Sequence, residues 1–219
     1  MTDPTRPRAN REATLDAVQE PAGRKQRTSQ RRADIVTAAA RIFADKGYGN
    51  VGMRDIAEAV GIRGASLYHH FSSKEEILYA ICLSVTREPV EENLPLLDAA
   101  GTPTERLTNL IRAHIRHLLH RRVEYRVGQH ERTSLTPEHL AEIDGYLQYY
   151  NQRVKDVLAA GMRSGEFRTM NPKLAALGIL DMLNGVSNWI RGTADEVADT
   201  YVHLLLDGLS PGPADSRDA

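Results

Sequence analysis

The stretch MRDIAEAVGIRGASLYHHF, residues 53–71, is the most informative part of the sequence. Apolar and small residues recur at helical spacing over 54–60, and a second short helix is expected to begin at residue 63 or 64 and to end at 69 or 70. Gly61 lies between them, at a turn where a positive φ is expected and glycine adopts it at little cost. The stretch therefore predicts two short helices joined by a tight turn.

Small and apolar residues within this stretch have the spacing of a helix-turn-helix. Ala57 supplies a small side chain where the two backbones come nearest, and the turn glycine follows four residues later. Ile62 and Leu67 then close a small core. Upstream, apolar residues spaced i, i+4, i+7 and i+8 predict a supporting helix over 31–45. These three helices predict a DNA-binding unit.

The rest of the chain is also expected to be helical. Several of the helical patterns follow capping residues, and none of the segments shows sustained strand alternation. The sequence therefore predicts an all-α chain of eight or nine helices. The remaining helices are expected over about 74–92, 103–122, 124–132, 137–164, 172–190 and 194–207.

From about Arg31 to Leu78 the sequence resembles the TetR family of bacterial transcription regulators. The resemblance is carried by ADIVTAAARIFADKGY, RDIAEAVGI, SLYHHF and SKEEIL, and the aromatic–His–Phe segment followed by Ser-Lys-Glu is its most diagnostic part. It implies a three-helix helix-turn-helix DNA-binding head on a larger helical body that dimerises and holds a ligand pocket. One departure is Gly52, because the family usually has Ser or Thr there as the cap of the second helix.

The resemblance and the composition together predict four regions. The segment richest in Arg, Pro, Thr and Gly without an apolar period is expected to be disordered. The regions are a disordered basic tail over 1–28, a DNA-binding domain over 29–75 with its motif at about 52–71, a ligand-binding and dimerisation domain over 76–210, and a disordered tail over 211–219.

The second short helix of the motif is the candidate recognition helix for the DNA major groove. Gly64 and Ala65 are small enough for close approach to base edges, and Ser66 can bond a base edge or a phosphate. The resemblance implies phosphate contacts from the Tyr68 hydroxyl and from Lys74. The candidate DNA-binding residues are Arg54, Arg63, Gly64, Ala65, Ser66, Tyr68, His69 and Lys74.

Other interpretations of these residues exist. Tyr68, His69 and Lys74 could be ordinary solvated side chains, and Arg54 could pair with Glu58 one helical turn away rather than with a phosphate. Catalysis by a serine and a histidine would need a third orienting group and a pocket, which a short exposed helix does not offer. The sequence also has no nucleophile elbow, phosphate loop or metal-ligand spacing, so we expect no enzyme activity.

The last two helices are apolar on more than one side, which predicts burial against a second copy of the chain. Two-fold pairing through these helices would form a four-helix seam, as the resemblance also implies. A dimer places two recognition helices about one DNA turn or more apart, so the operator should be a near-palindrome.

The body is expected to enclose a ligand pocket, because its tyrosines, asparagines and tryptophan combine aromatic faces with polar tips. The alternative is a filled core with hydrogen-bonded tyrosines. The segments NGVSNWIRG and GEFR resemble TetR relatives that sense acyl-CoA thioesters, lipids or steroids, with Arg126, Arg132 or Arg191 near the mouth. The candidate ligand-binding residues are Tyr125, Arg126, Tyr146, Tyr149, Tyr150, Asn184, Asn188 and Trp189.

A metal ion or cofactor is not expected. His114, His117 and His120 form an H-x-x-H-x-x-H run, but steps of three spread them over about 120° of helix face. Arginines flank the run and would repel a cation, so a solvated or pocket-lining face is the expected role. The single cysteine, Cys82, lies in an apolar segment and is expected to be buried.

Charge and composition agree with a DNA-binding protein in the cytoplasm. Residues 1–80 carry 13 basic and 10 acidic side chains, whereas the remainder carries 15 and 19. The sequence shows neither a signal peptide nor an apolar run of membrane-spanning length, so no membrane partner is expected. We expect a homodimeric repressor that a small hydrophobic or acyl-CoA-like effector releases from a palindromic operator. The alternative is an activator or a ligand-independent DNA-binding protein.

Overall fold

The computed structural model describes residues 22–190 and 192–210, and all regular secondary structure in these ranges is helical. The predicted all-α class is therefore confirmed. Short 3-10 turns cover Tyr48–Asn50, Leu94–Leu97 and Arg132–Ser134. The α-helices are α1 (Ala22–Lys46), α2 (Met53–Val60), α3 (Gly64–Tyr68), α4 (Lys74–Glu92), α5 (Pro103–His120), α6 (Arg122–Glu131), α7 (Pro137–Ser164), α8 (Pro172–Trp189) and α9 (Ala194–Leu209).

The first helix is longer than predicted. It begins at Ala22, so residues 22–28, which were expected to belong to a disordered tail, are helical. This segment, AGRKQRT, contains mostly good helix formers but no apolar period, so the periodicity that marks the rest of the helix does not reveal it. The remaining predicted tail segments, 1–21 and 211–219, lie outside the described residues.

The last helix also runs past its predicted end. It continues through Gly208 to Leu209, whose side chain is buried and whose carbonyl accepts the N–H of Arg168 at 2.8 Å. This contact with the chain that follows α7 holds the final turn in place. Arg191, predicted near the mouth of a pocket, lies outside the described residues.

Side-chain caps fix where several helices begin. At the start of α5, the Thr102 hydroxyl accepts the Glu105 N–H at 3.2 Å, and the Glu105 carboxylate accepts the Thr102 N–H at 2.8 Å. At the start of α4, the Ser73 hydroxyl accepts the Glu76 N–H at 3.0 Å, but the Glu76 carboxylate accepts the N–H of Ser72 at 2.7 Å. The capping box at Ser73 is therefore half formed, and its second half is displaced by one residue.

Two apolar cores hold the helices together. The head comprises α1–α3 and packs on the first half of α4. Its core also contains Val127 of α6, Leu135 just before α7, and Ile143 of α7. The other core lies inside the body, which comprises α4–α9, and is built mainly from α5, α7, α8 and α9. Because α4 contributes Ile77 to the first core and Val85 to the second, it connects the two.

A helix that crosses a lipid bilayer needs about 20 mostly apolar residues in succession. Among residues 22–190 and 192–210, none of the helices is both long enough and apolar enough to cross one.

Candidate DNA-binding surface and ligand cavity

The turn between α2 and α3 has the expected geometry. Gly61 has a φ of 69°, in the left-handed region that favours glycine. Its N–H donates to the Glu58 carbonyl at 3.0 Å, and the Ile62 N–H donates to the Ala57 carbonyl at 2.9 Å. These paired bonds close the end of α2. Leu67 and Ala57 are buried where the helices meet, so α3 is fixed against α2.

One side of α3 faces solvent. Leu67 is fully buried on the inner side, whereas the large ring of Tyr68 is 57% exposed on the outer side. The two small residues at the start of α3 leave its backbone open to close approach by a partner. The predicted DNA-contacting residues that are exposed or half-buried on this segment are Arg63, Gly64, Ala65, Ser66, Tyr68 and His69.

Arg54 and Lys74 lie on either side of α3 in the sequence. Arg54 is exposed at the start of α2, and in the described part of the chain no ion pair joins it to Glu58. The Lys74 ammonium donates to the Tyr48 carbonyl at 2.8 Å and lies 4.2 Å from the centroid of the Tyr48 ring. Since an ammonium has three N–H donors, the Tyr48 contact orients Lys74 and leaves donors for a further acceptor.

The segment after α3 is held from behind by α1. The Phe71 ring is buried, and the Arg32 guanidinium stacks 4.0 Å from its centroid. Arg32 also donates to the His70 carbonyl and lies 3.6 Å from the Glu76 carboxylate. Phe71 thus packs inward, whereas the His70 side chain is half-buried and its carbonyl makes the anchoring contact.

The start of α2 has one half of a capping box. The Gly52 N–H donates to the Asp55 carboxylate at 2.7 Å, but Gly52 has no hydroxyl to accept an N–H of the first helical turn. Gly52 has a φ of −105°, which residues other than glycine also adopt. A hydroxyl-bearing residue would therefore be tolerated at this position.

The body contains a cavity of about 490 Å³ between α4, α5, α6, α7 and α8. This volume is within the usual range for small-molecule sites. Half of the predicted ligand-binding set lines it: Tyr125, Tyr146, Tyr150 and Asn184.

The other four predicted ligand-binding residues do not line this cavity. Arg126 lies on the opposite side of α6, where it borders a small cleft against Phe43 of α1. Tyr149 is 49% exposed, and its hydroxyl accepts a bond from Arg153 at 3.2 Å. Asn188 and Trp189 are on the outer face of α8, with Trp189 57% exposed. Each of the four lies on the outward side of its helix, which residue type alone did not reveal.

A buried histidine connects the polar groups of the cavity wall. His114 lines the cavity, with Nδ1 3.2 Å from the Tyr150 hydroxyl and Nε2 3.2 Å from the Asn184 side-chain oxygen. Burial lowers the pKa of His114 to about 4, so the ring is neutral near pH 7. The Tyr125 hydroxyl in the same wall is buried and has no hydrogen-bond partner among the described residues.

Of the histidine run on α5, only His114 reaches the cavity. His117 is half-buried, with Nε2 3.3 Å from the Ser84 carbonyl, and His120 is exposed. Within the described residues, no three His, Cys, Asp or Glu side chains come together in a way that could hold a metal ion. The pocket-lining expectation thus applies to one histidine of the three.

Sequence reasoning missed several other residues of the wall, among them Gln129 and Asp181. Arg132, which was expected near the mouth of the pocket, lines the cavity and pairs with Asp144 at 2.5 Å. Cys82 is also in the wall, where burial raises the pKa of its thiol to about 12, so it stays protonated. The only sequence signal for these residues would have been their helical phase relative to the tyrosines.

The outer side of α8 and α9 exposes large apolar side chains in the single chain. Trp189 and Tyr201 join the two helices there, with ring centroids 6.4 Å apart. Several hundred Å² of contiguous exposed apolar surface marks a contact site in soluble proteins. The exposed apolar residues of these two helices are Leu174, Leu177, Met182, Trp189 and Leu204.

Two family models match the chain. The one described as "Bacterial regulatory proteins, tetR family" matches residues 35–81, and the one described as "Tetracyclin repressor-like, C-terminal domain" matches residues 100–209. Among curated proteins, the HTH-type transcriptional repressor KstR2 of Mycolicibacterium smegmatis is 29% identical over 198 residues, which cover 86% of this chain and 95% of that protein.

Solved structures show the same similarity. The TetR family transcriptional regulator PfmR from Thermus thermophilus superposes with a TM-score of 0.75 at 34% identity, covering 81% of this chain and 99% of that one. AibR, solved in complex with isovaleryl coenzyme A and operator DNA, superposes with a TM-score of 0.71 at 31% identity, covering 80% and 98%. KstR2 and PfmR are named as transcriptional regulators, and the family matches include both the head and the body. The chain is a member of the TetR family of bacterial transcriptional regulators.

Proposed function

We propose that this protein is a homodimeric repressor in the bacterial cytoplasm that binds a palindromic operator and leaves it when a small hydrophobic or acyl-CoA-like effector binds. The observation that carries the proposal is the exposed side of α3, fixed against α2 through Gly61 and against α1 through Arg32. A rigid, exposed helix with small residues at its start is suited to the major groove.

The proposed DNA contacts divide into two kinds. Tyr68, Lys74 and Arg54 are proposed to contact phosphates, which supply affinity without reading sequence. Arg63, Ser66 and the residues between them are proposed to contact base edges, where sequence is read.

Homodimerisation is supported by the exposed apolar side of α8 and α9. Leu174 is 65% exposed and Leu204 is 56% exposed in the single chain. Covering these side chains with the same side of a second copy removes them from water. This burial stabilises the dimer by roughly 25 cal/mol per Å² of apolar surface. Such pairing is two-fold, so it presents two α3 helices to two half-sites of DNA.

The effector is proposed to bind in the cavity of the body and to act on the head through α6. One side of α6, with Tyr125 and Gly128, forms part of the cavity wall. The other side, with Val127, is in the core of the head, next to the cleft that Phe43 lines. A ligand that displaces α6 therefore changes the support of α1. DNA affinity falls only to the extent that the ligand prefers the displaced state.

The effector class is suggested by the mainly apolar cavity and by the relative AibR, which was solved with isovaleryl coenzyme A. The repressor role is suggested by KstR2, which is named a transcriptional repressor. We propose the same effector class and the same repressor role for this chain.

The DNA-binding function is tested by selecting bound sequences from a random DNA library and by footprinting the result. Tyr68→Phe should weaken binding to all bound sequences alike by about threefold to tenfold, because a phosphate bond is lost. Ser66→Ala should change the preferred bases instead, by about 1–3 kcal/mol at the position it contacts. The exposed Tyr149, far along the chain on α7, provides the matched control Tyr149→Phe.

The proposal fails if no sequence is enriched, or if Tyr68→Phe and Ser66→Ala both bind DNA as the wild type does. The sign of regulation is tested separately with a reporter gene placed behind the selected operator. Expression should fall when the protein is present.

A further inference from the structure

We propose that the effector presents an uncharged hydrogen-bond acceptor, such as a carbonyl oxygen, to the hydroxyl of Tyr125 inside the cavity. This inference rests on the proposed function, because it specifies the chemistry of the ligand that the body binds. It divides candidate effectors into neutral carbonyl compounds, which fit, and free carboxylates, which do not.

The Tyr125 hydroxyl has no hydrogen-bond partner in the described part of the chain. The residue is 4% exposed and is one of those that line the cavity. Burial raises the pKa of this hydroxyl well above its ordinary value, so it remains a protonated donor. Buried donors without partners are rare because each one costs free energy. The missing acceptor is therefore assigned to the occupant of the cavity.

The neighbouring His114, Tyr150 and Asn184 side chains already bond to one another. The Asn184 side-chain oxygen can only accept, so the Nε2 of His114 carries the proton and donates to it. Nδ1 is then unprotonated and accepts from the Tyr150 hydroxyl. This chain of bonds uses the donors of His114 and Tyr150, whereas the buried Tyr125 hydroxyl has no acceptor among the described residues.

The charged groups of the cavity wall disfavour an anionic ligand. His114 is neutral, Arg132 is already paired with Asp144, and Asp181 adds a carboxylate to the wall. Among the described residues that line the cavity, no cation is left without a carboxylate partner. A ligand carboxylate would therefore lose its hydration without gaining a counter-charge, which is costly in an apolar cavity. A carbonyl oxygen loses far less hydration and gains the Tyr125 bond.

The experiment compares two probes that share one acyl chain, the neutral ester methyl decanoate and the anion decanoate, by calorimetry on the full chain at pH 7.5. The wild type should bind the ester at least about tenfold more tightly than the acid. Tyr125→Phe should weaken ester binding by about threefold to tenfold, the value of one hydrogen bond. Tyr149→Phe makes the same change outside the cavity and should leave ester binding unchanged.

Two further measurements separate a ligand contact from a structural role. Tyr125→Phe removes an unsatisfied hydroxyl, so the free protein should unfold at the same or a higher temperature while its ester affinity falls. With the ester carbonyl labelled with ¹³C, its infrared stretch in the complex should lie at lower frequency in the wild type than in Tyr125→Phe.

Equal affinity for ester and acid, unchanged ester binding by Tyr125→Phe, or no binding of the ester at all would overturn the assignment. A lower unfolding temperature of Tyr125→Phe would also count against it, since a trapped water would then be the partner of the hydroxyl. Operator protection by the unliganded protein is measured in parallel. Its absence contradicts the DNA-binding function, whereas the probe results concern only the cavity.

Discussion

The carboxylate of Glu75 lies 2.9 Å from Nδ1 of His139 and also accepts the backbone N–H of Thr136 at 3.0 Å. These contacts join the first turn of α4, which follows the recognition unit, to the first turn of α7, which forms part of the cavity wall. The His139 ring also stacks on Tyr79, with centroids 3.7 Å apart. These contacts therefore hold the start of α4, next to the recognition unit, against the start of α7.

Glu75→Gln tests this junction, because it keeps the shape of the side chain and removes its charge. We expect the free energy of unfolding in urea to fall by about 0.5–1 kcal/mol, because hydrogen bonds to a carboxylate are stronger than those to a neutral amide. Glu91→Gln is the matched control, since Glu91 pairs with Arg87 at 3.3 Å but its side chain is 62% exposed. If both substitutions lower the free energy of unfolding equally, the contacts of Glu75 are no more stabilising than an exposed ion pair.

The dimer prediction is tested by placing a charge on the apolar side of α8 and α9. Leu204→Glu should convert the dimer to a monomer in sedimentation experiments, because pairing would bury two unpaired carboxylates. Tyr149→Glu introduces the same charge at a large side chain that is 49% exposed on α7 and should leave the dimer intact. A Leu204→Glu variant that sediments as a dimer would place the interface elsewhere.

Substituting alanine for either of two glycines in α7 should change stability in opposite directions. A Cβ at Gly161 would lie 2.1 Å from the Phe167 ring, and both residues are buried, so Gly161→Ala should lower stability by about 1–3 kcal/mol. A Cβ at Gly145 would meet no atom within 4 Å, so Gly145→Ala should raise stability by about 0.5–1 kcal/mol. Thermal unfolding of the two variants checks both signs.

Stability should depend on pH through His114. The unfolded chain takes up a proton on this residue near its ordinary pKa of 6.5, whereas the buried ring in the folded state does so only at about 4. Stability is therefore lost as the pH falls through this window, by about 2 kcal/mol between pH 7 and pH 5. His114→Gln should show a correspondingly smaller loss in urea unfolding at the two pH values. Equal losses in both proteins would contradict a neutral buried His114.

Lys74→Met tests the proposed phosphate contact. Removing one cation from the DNA interface should weaken binding to all sequences and reduce the slope of log affinity against log salt by about one. Lys155→Met, on α7, removes a cation from the body and should leave the slope unchanged. A Lys74→Met slope equal to that of the wild type would mean that Lys74 serves only its contact with Tyr48.

Helix starts and turns could be predicted from the sequence because they depend on local chemistry. Thr102, Thr136, Asn171 and Thr193 accept backbone N–H bonds where their helices begin, and Gly61 adopts the left-handed turn. Each of these outcomes is decided by a few neighbouring residues.

The sides of the body helices could not be predicted in the same way. Trp189 was expected in the cavity because of its chemistry, yet it faces outward, whereas His114 was one of three similar histidines and proved to be the buried one. Which side of a helix faces the cavity depends on where its neighbours pack. In this body both sides of α8 carry apolar residues, so composition did not distinguish the inner side from the outer one.

The core beneath the DNA-binding helices takes side chains from three later parts of the chain: Val127, Leu135 and Ile143. The recognition unit is therefore not an autonomous module. Cutting the chain after α4 would expose the apolar surface of the head that these three side chains cover. Grafting the head onto the body of another regulator would require that body to supply matching side chains. Replacing the outer residues of α3 should therefore exchange operator specificity between relatives. Transplanting the whole head should fail to do so.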